Sequence, residues 1–171
     1  ILLDNNSDDN NLAIVKKYDD KIKYFRTSKI EKLGKARNIA LEKSKGEYLA
    51  FLDCDDLWLP EKIEKQISLF ENNKKLGLVF CDTIFFDNSG DKKQLYGNKK
   101  PVKGKVFNEL LLNYFLSMET VILSRRVLDE LDEWFDVRLE VVEEKELFLR
   151  VSAISEVDYV DEVLAKWRVD P

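Results

Sequence analysis

The stretch Glu47-Tyr48-Leu49-Ala50-Phe51-Leu52-Asp53-Cys54-Asp55-Asp56-Leu57-Trp58-Leu59-Pro60 limits most strongly how this chain can fold. Its apolar run is short and rich in aromatic and aliphatic residues, as in a buried strand of an α/β sheet. The run stops at Asp53, Asp55 and Asp56, three carboxylates within four residues. Pro60 suits the first turn of a helix, where its missing N–H costs nothing. Strand, acidic loop and helix together place the carboxylates at the carboxyl edge of a sheet, where open α/β folds bind ligands. Crowded carboxylates repel one another unless positive charge sits among them. A hard divalent cation, Mg²⁺ or Mn²⁺, held by one or two carboxylates and by substrate phosphates, meets that need.

Composition narrows the chemistry. The 171 residues suffice for one domain with a substantial core. A net charge of −5 argues against a nucleic-acid partner, which demands clustered positive charge. No apolar run approaches the roughly 20 residues of a membrane span, and no signal peptide is visible. The expected location is the cytoplasm. Cys54 and Cys81 both fall in or beside expected buried strands and read as reduced thiols. The chain has no histidine, which excludes Ser-His-Asp and Cys-His catalysis and makes a zinc site improbable. Carboxylates, lysines, arginines and a metal are left to carry any reaction.

Taken in order, Ile1-Leu2-Leu3 reads as a strand end and Asp4-Asn5-Asn6-Ser7 as a turn on the same sheet edge as Asp53. A helix to about Tyr18 follows, with Leu12, Val15 and Tyr18 on one face. A short strand is expected at Ile22–Phe25 and a helix at Lys35–Lys43, with Arg37 and Asn38 near its start, where anions are favoured. Beyond Pro60, the spacing of Ile63, Ile67 and Phe70 predicts a helical core stripe. Gly77–Phe86 reads as a strand interrupted by Asp82, Asp87–Lys105 as a solvated hairpin in preference to a mobile lid over a ligand, and Phe107–Phe115 as an amphipathic helix. A strand is expected at Glu119–Leu123 and a helix capped by Ser124. Leu147, Val151 and Ile154 mark a further helix with Glu143 and Glu144 at its start, and Val157–Tyr159 a short closing strand. Acids there complement the helix dipole, and a cleft carboxylate at that position suits a general base.

Several of these segments together resemble the inverting, nucleotide-sugar-dependent glycosyltransferases of family 2. Asp4-Asn5-Asn6-Ser7 is similar to that family's Asp-Asp-Gly-Ser turn. Gly34-x-Ala36-Arg37-Asn38 is similar to its Gly-x-x-x-Ala-Arg-Asn element, one residue shorter between Gly and Ala. Gly46 to Asp56 resembles its strand and D-x-D signature. Glu143-Glu144-x-Glu146-Leu147-x-Leu149-Arg150 looks like its Glu-Asp-x-Asp-Leu-x-x-Arg helix, and Tyr159 to Arg168 its closing segment.

The resemblance implies a GT-A fold: a Rossmann-like mixed sheet flanked by helices, here without the family's first strand and helix before Ile1. It implies one catalytic domain over 1–171, with a nucleotide-sugar-binding half (1–86) and an acceptor-binding half (87–171). Donor contacts fall to Asp4, Arg37, Asn38, Asp53 and Asp55, and metal contacts to Asp55, Asp56 and Asp170. Glu144 stands where the family has a catalytic Asp, and Asp170 where many relatives have a metal-binding His. The implied cofactor is Mn²⁺ or Mg²⁺. The implied partners are a nucleotide-diphosphate sugar and a glycan or lipid-linked acceptor, the latter placing the protein at the inner face of a membrane.

Two other readings compete. Leu52 to Leu57 also looks like the nucleophile loop of haloacid-dehalogenase-type phosphatases, but Gly90-Asp91-Lys92-Lys93-Gln94-Leu95 lacks the second Asp those enzymes need. A sugar-nucleotide-binding scaffold without turnover is the non-enzyme alternative. A P-loop ATPase is excluded, because no Gly-x-x-x-x-Gly-Lys-Ser/Thr accompanies the acidic loop.

Overall fold

The structure, a computed structural model, describes residues 1–97 and 99–169, with the backbone alone at 19 and 20. The elements run β1 (Leu2–Asp4), α1 (Asn11–Val15), a 3-10 turn (Lys16–Lys21), β2 (Tyr24–Arg26), α2 (Leu33–Lys43), β3 (Tyr48–Ala50), β4 (Leu57–Trp58) and α3 (Lys62–Asn72). There follow β5 (Leu76–Asp87), β6 (Gly90–Gln94), α4 (Phe107–Leu112), a 3-10 turn (Met118–Thr120), β7 (Ile122–Ser124), α5 (Arg125–Leu128), α6 (Glu143–Ile154) and β8 (Glu156–Arg168). They form two compact units, 1–46 with 133–147, and 47–132 with 148–169. The functional division drawn at residue 86 falls inside β5.

In the first unit β1 and β2 pair in parallel, Leu2 opposite Tyr24 and Asp4 opposite Arg26. This corrects the expectation that Asp4 and Asp53 share a sheet edge. The ladder of β1 goes to β2, whereas β3 pairs with β7 in a separate sheet. The first helix is also shorter than its apolar spacing suggests. Asn10 makes no side-chain cap, α1 ends at Val15, and Leu12 and Tyr18 are exposed while Val15 is buried.

The second unit is a six-stranded mixed sheet in the order β3-β7-β5-β8-β4, with β6 on β5. Leu76 to Cys81 of β5 is buried throughout, as expected of a strand covered on both faces. The closing strand β8 is thirteen residues long, not the short piece expected at Val157–Tyr159. It runs parallel to β5 from Glu156 to Arg168, and Asp161 and Glu162 bulge out between Val160 and Val163. Phe70, Leu76, Val79 and Ile122 form one core cluster, with the Tyr48 ring tilted against Phe70 at 4.8 Å between centroids. Cys81, Leu164 and Ala165 form another, under Trp58.

Three further local expectations change. The strand before the acidic loop stops at Ala50, so Leu52 and Cys54 are exposed; Cys81 is buried, and both thiols are free. Helix α3 buries Lys62, Gln66 and Phe70, at i, i+4 and i+8, and exposes Ile63. A left-handed Glu61 (φ 67°) after Pro60 sets that phase. Finally, α4 ends at Leu112 and Glu119 lies in a 3-10 turn, not a strand. Of the hairpin expected over Asp87–Lys105, only the first part forms, as β5–β6, which ends at Gln94 and turns at Gly90 with φ 117°, a conformation that favours glycine.

Candidate functional site

The acidic loop of the second unit divides its carboxylates by environment. Asp53 and Asp55 are exposed, whereas Asp56 is turned inward. The Asp56 N–H donates to the Asp53 carbonyl at 3.1 Å, which closes the loop on itself. Asp56 Oδ1 then accepts the Arg168 N–H at 2.8 Å, and Arg168 Nε donates to the Asp55 carbonyl at 3.1 Å. The Arg168 guanidinium lies 4.4 Å from the Phe86 ring centroid, which braces it. Burial pushes the Asp56 carboxyl up to about 6, the Arg168 N–H opposes this, and the charges of Glu119, Asp55 and Asp53 add to it.

These oxygens suit a hard cation, and Asp55 is the exposed carboxylate best able to offer one. Among the described residues no group of three or more His, Cys, Asp or Glu side chains is placed to hold a metal ion by itself. A cation held here would need water and substrate phosphates to complete its shell, as Mg²⁺ sites commonly do. Asp170 lies outside the described residues.

Beneath the loop is a buried polar floor. The Trp58 indole N–H donates to the Glu119 carbonyl at 2.8 Å, and the Lys62 ammonium sits 4.7 Å from the Trp58 ring centroid. Lys62 is 1% exposed and Glu119 2%. Glu119 accepts the Ser117 hydroxyl on one oxygen, while its other oxygen and Lys62 Nζ have no hydrogen-bond partner among the described residues. Burial pulls the Lys62 ammonium down to about 8, against the favourable charge of Glu119. Gln66 ties this floor to the sheet by donating to the Val79 and Thr120 carbonyls at 3.0 and 2.9 Å.

The first unit holds the remaining expected residues. Asp4 is buried; its carboxylate accepts the Tyr24 hydroxyl and, at 2.7 Å, the Ser7 N–H. These bonds hold it below the usual carboxylate range, the Tyr24 hydroxyl contributing most. Arg37 Nη1 meets Glu143 Oε1 at 2.7 Å, with both side chains largely buried. Asn38 clasps the Phe135 backbone in both directions, donating to its carbonyl at 2.8 Å and accepting its N–H at 3.0 Å. Arg37 and Asn38, adjacent on α2, thus fasten the segment that leads into α6. Glu144, half-buried, is the second residue of that helix, beside the ion-paired Glu143.

The sequence matches the family described as "Glycosyl transferase family 2" over residues 1–132. The chain belongs to glycosyl transferase family 2. A glycosyltransferase of Methanocaldococcus jannaschii, itself uncharacterised, is 31% identical over 177 residues, covering 99% of this chain and 59% of that protein. The Escherichia coli enzyme WfgD is described as a UDP-Glc:α-D-GlcNAc-diphosphoundecaprenol β-1,3-glucosyltransferase. It is 29% identical over 126 residues, covering 74% of this chain and 48% of WfgD. Among solved structures, residues 1–349 of Staphylococcus aureus TarS in complex with UDP superpose with a TM-score of 0.74. The identity is 21%, covering 99% of this chain and 50% of that one. That likeness fixes the fold of this family 2 chain as GT-A. The chain spans about half to three-fifths of the length of these relatives.

Lys62, Gln66 and Glu119 were not singled out by sequence reasoning. The apolar stripe drew attention to Ile63 and hid the buried face one residue away. Glu119, a lone acid between Leu116 and Leu123, was the signal available.

Proposed function

We propose that this chain forms the donor-binding and catalytic part of an inverting glycosyltransferase that uses a nucleotide-diphosphate sugar and a divalent cation. The reading rests most on the division within the acidic loop: Asp56 is tied to Arg168, leaving Asp53 and Asp55 exposed for a ligand. In this scheme Asp53 binds the donor and Asp55 offers its carboxylate to the cation. When bound, the cation neutralises charge on the departing diphosphate. Arg37 and Asn38 serve the donor side by holding the residues before α6, and Asp4 by shaping the turn after β1.

Glu144 is the base. It takes the proton of an acceptor hydroxyl as that oxygen bonds to the anomeric carbon. The bond from that carbon to the diphosphate oxygen breaks on the opposite side, and its electron pair leaves with the nucleotide. Configuration inverts because one displacement occurs. A lipid-linked acceptor in cell-surface glycan synthesis, at the inner membrane face, is the substrate class we favour; WfgD carries such an acceptor in its description.

The deciding experiment measures donor hydrolysis and transfer by the protein with Mn²⁺ against a panel of UDP-sugars. Turnover that needs the cation and Glu144 supports the enzyme. Nucleotide binding without turnover on any donor, unaffected by chelator, overturns it in favour of a binding scaffold.

A further inference from the structure

Helix α4 presents its apolar side chains the wrong way round for folding alone. Its six residues, Phe-Asn-Glu-Leu-Leu-Leu, bury Leu110 completely, yet leave Leu111 55% and Leu112 87% exposed. Phe107, one turn before Leu111 and on the same face, is exposed as well. A single exposed leucine is ordinary, but a contiguous apolar group ringed by polar residues marks an interaction surface.

The surroundings of this helix identify the kind of surface. Phe107 lines a groove of about 500 Å³ together with Lys74, Lys75, Lys105, Arg126 and Ile154. All six belong to the second unit. The loop leading into α4 is held to the sheet by paired hydrogen bonds between Gly104 and Val157, 2.7 and 2.8 Å. That loop also exposes Val102 and Lys103. Arg126 is oriented by donating to the Lys74 carbonyl at 2.9 Å. The acids nearby are Glu109, Asp129, which lines a neighbouring pocket with Lys74 and Arg126, Glu130 paired with Arg126, Asp158 paired with Lys103, and Glu156, which accepts from Asn73. Of the charged residues that line the groove beside Phe107, Lys74, Lys75, Lys105 and Arg126 are cations and Glu156 alone is an acid, in a chain whose net charge is −5.

We propose that the α4 face, with Lys74, Lys75, Lys105 and Arg126, docks the protein on an anionic phospholipid surface. Leucine and phenylalanine side chains enter the boundary between headgroups and acyl chains, while the lysines lie among the phosphates. The mix of aliphatic tips and flexible ammonium groups suits that partner. This deepens, and rests on, the reading of a lipid-linked acceptor, because it would bring the transferase to the layer where such an acceptor resides.

The test is co-flotation of the protein with vesicles of phosphatidylcholine alone or mixed with phosphatidylglycerol, without donor or acceptor. Binding is expected on the mixed vesicles, weakening as salt rises and falling roughly 5-fold for each cation removed in Lys74→Gln, Lys75→Gln and Lys105→Gln. Leu111→Ser/Leu112→Ser should abolish it. These positions are exposed, so circular dichroism and thermal melts of the variants should match the parent. Failure to float with anionic vesicles overturns the proposal, as does equal binding to neutral ones or undiminished binding by the leucine variant. A dimer dispersed by that variant in sedimentation overturns it too, by assigning the face to a second copy. Because nucleotide binding is measured separately in solution, the docking surface and the transferase reading fail independently.

Discussion

Arg37 and Glu143, 106 residues apart in sequence, form a buried ion pair of 2.7 Å that joins α2 to the first residue of α6. The Arg37 guanidinium also lies 5.7 Å from the Phe135 ring centroid, so three segments of the first unit meet at one side chain. Removing one partner of such a pair strands the other charge out of water. Arg37→Ala is expected to cost about 3–5 kcal/mol in urea denaturation. The apolar pair Arg37→Met/Glu143→Leu should recover most of that loss, and a single variant as stable as the parent would refute this account.

Lys62 makes stability depend on pH in a definite direction. Its folded-state pKa, about 8, lies below its ordinary 10.5, so the unfolded chain binds the extra proton between those values. Stability therefore rises with pH from about 8 towards 10.5, as the burial penalty of the charged form disappears. Lys62→Met lacks this rise. The stability of the parent relative to Lys62→Met should climb by about 2 kcal/mol between pH 7 and pH 10 in chemical denaturation, since a tenfold difference in proton affinity between the two states is worth about 1.4 kcal/mol. A pH-independent difference would contradict the burial of the ammonium.

The two neighbours Asp55 and Asp56 should separate cleanly on substitution. Asp55→Ala is expected to leave the melting curve unchanged and to abolish the Mn²⁺ dependence of nucleotide binding in calorimetry. Asp56→Ala should instead cost about 1–3 kcal/mol, because it removes the acceptor for the Arg168 N–H. Asp56→Asn keeps an acceptor oxygen and is expected to be tolerated.

Glu144→Gln should lower kcat by about 10²–10⁴, the usual yield of a positioned base. Donor affinity and melting temperature are expected to stay unchanged, since Glu143 and not Glu144 carries the pair with Arg37. An equal loss of donor affinity would move Glu144 out of the base role.

The parts of this fold that could be read from the chain were those with local punctuation. The acidic loop, the hairpin at Gly90 and the helix beginning at Glu143 each carry their own signal within a few residues. The polar floor was hidden because Lys62, Gln66 and Glu119 are buried against residues distant in sequence, which no periodicity reports. The length of β8 was hidden for a similar reason: Asp161 and Glu162 look like a strand end until the neighbouring β5 shows them bulging from a continuous ladder. Arg37 and Asn38 were visible as a motif, but their engagement with Glu143 and Phe135 exists only in three dimensions.

The hydrogen bond from Arg168 to Asp56 spans 112 positions of the chain. A ribosome that has made the acidic loop must add all of β5, β6, β7 and β8 before that loop has its anchor. Long-range parallel pairing of the β5–β8 kind is slow to form, because loop-closure entropy is lost before contacts compensate it. The nascent loop therefore waits, with Asp56 unanchored, until the end of β8 has left the exit tunnel. Chains interrupted before Arg168 should carry the whole acidic loop yet fail to shape it.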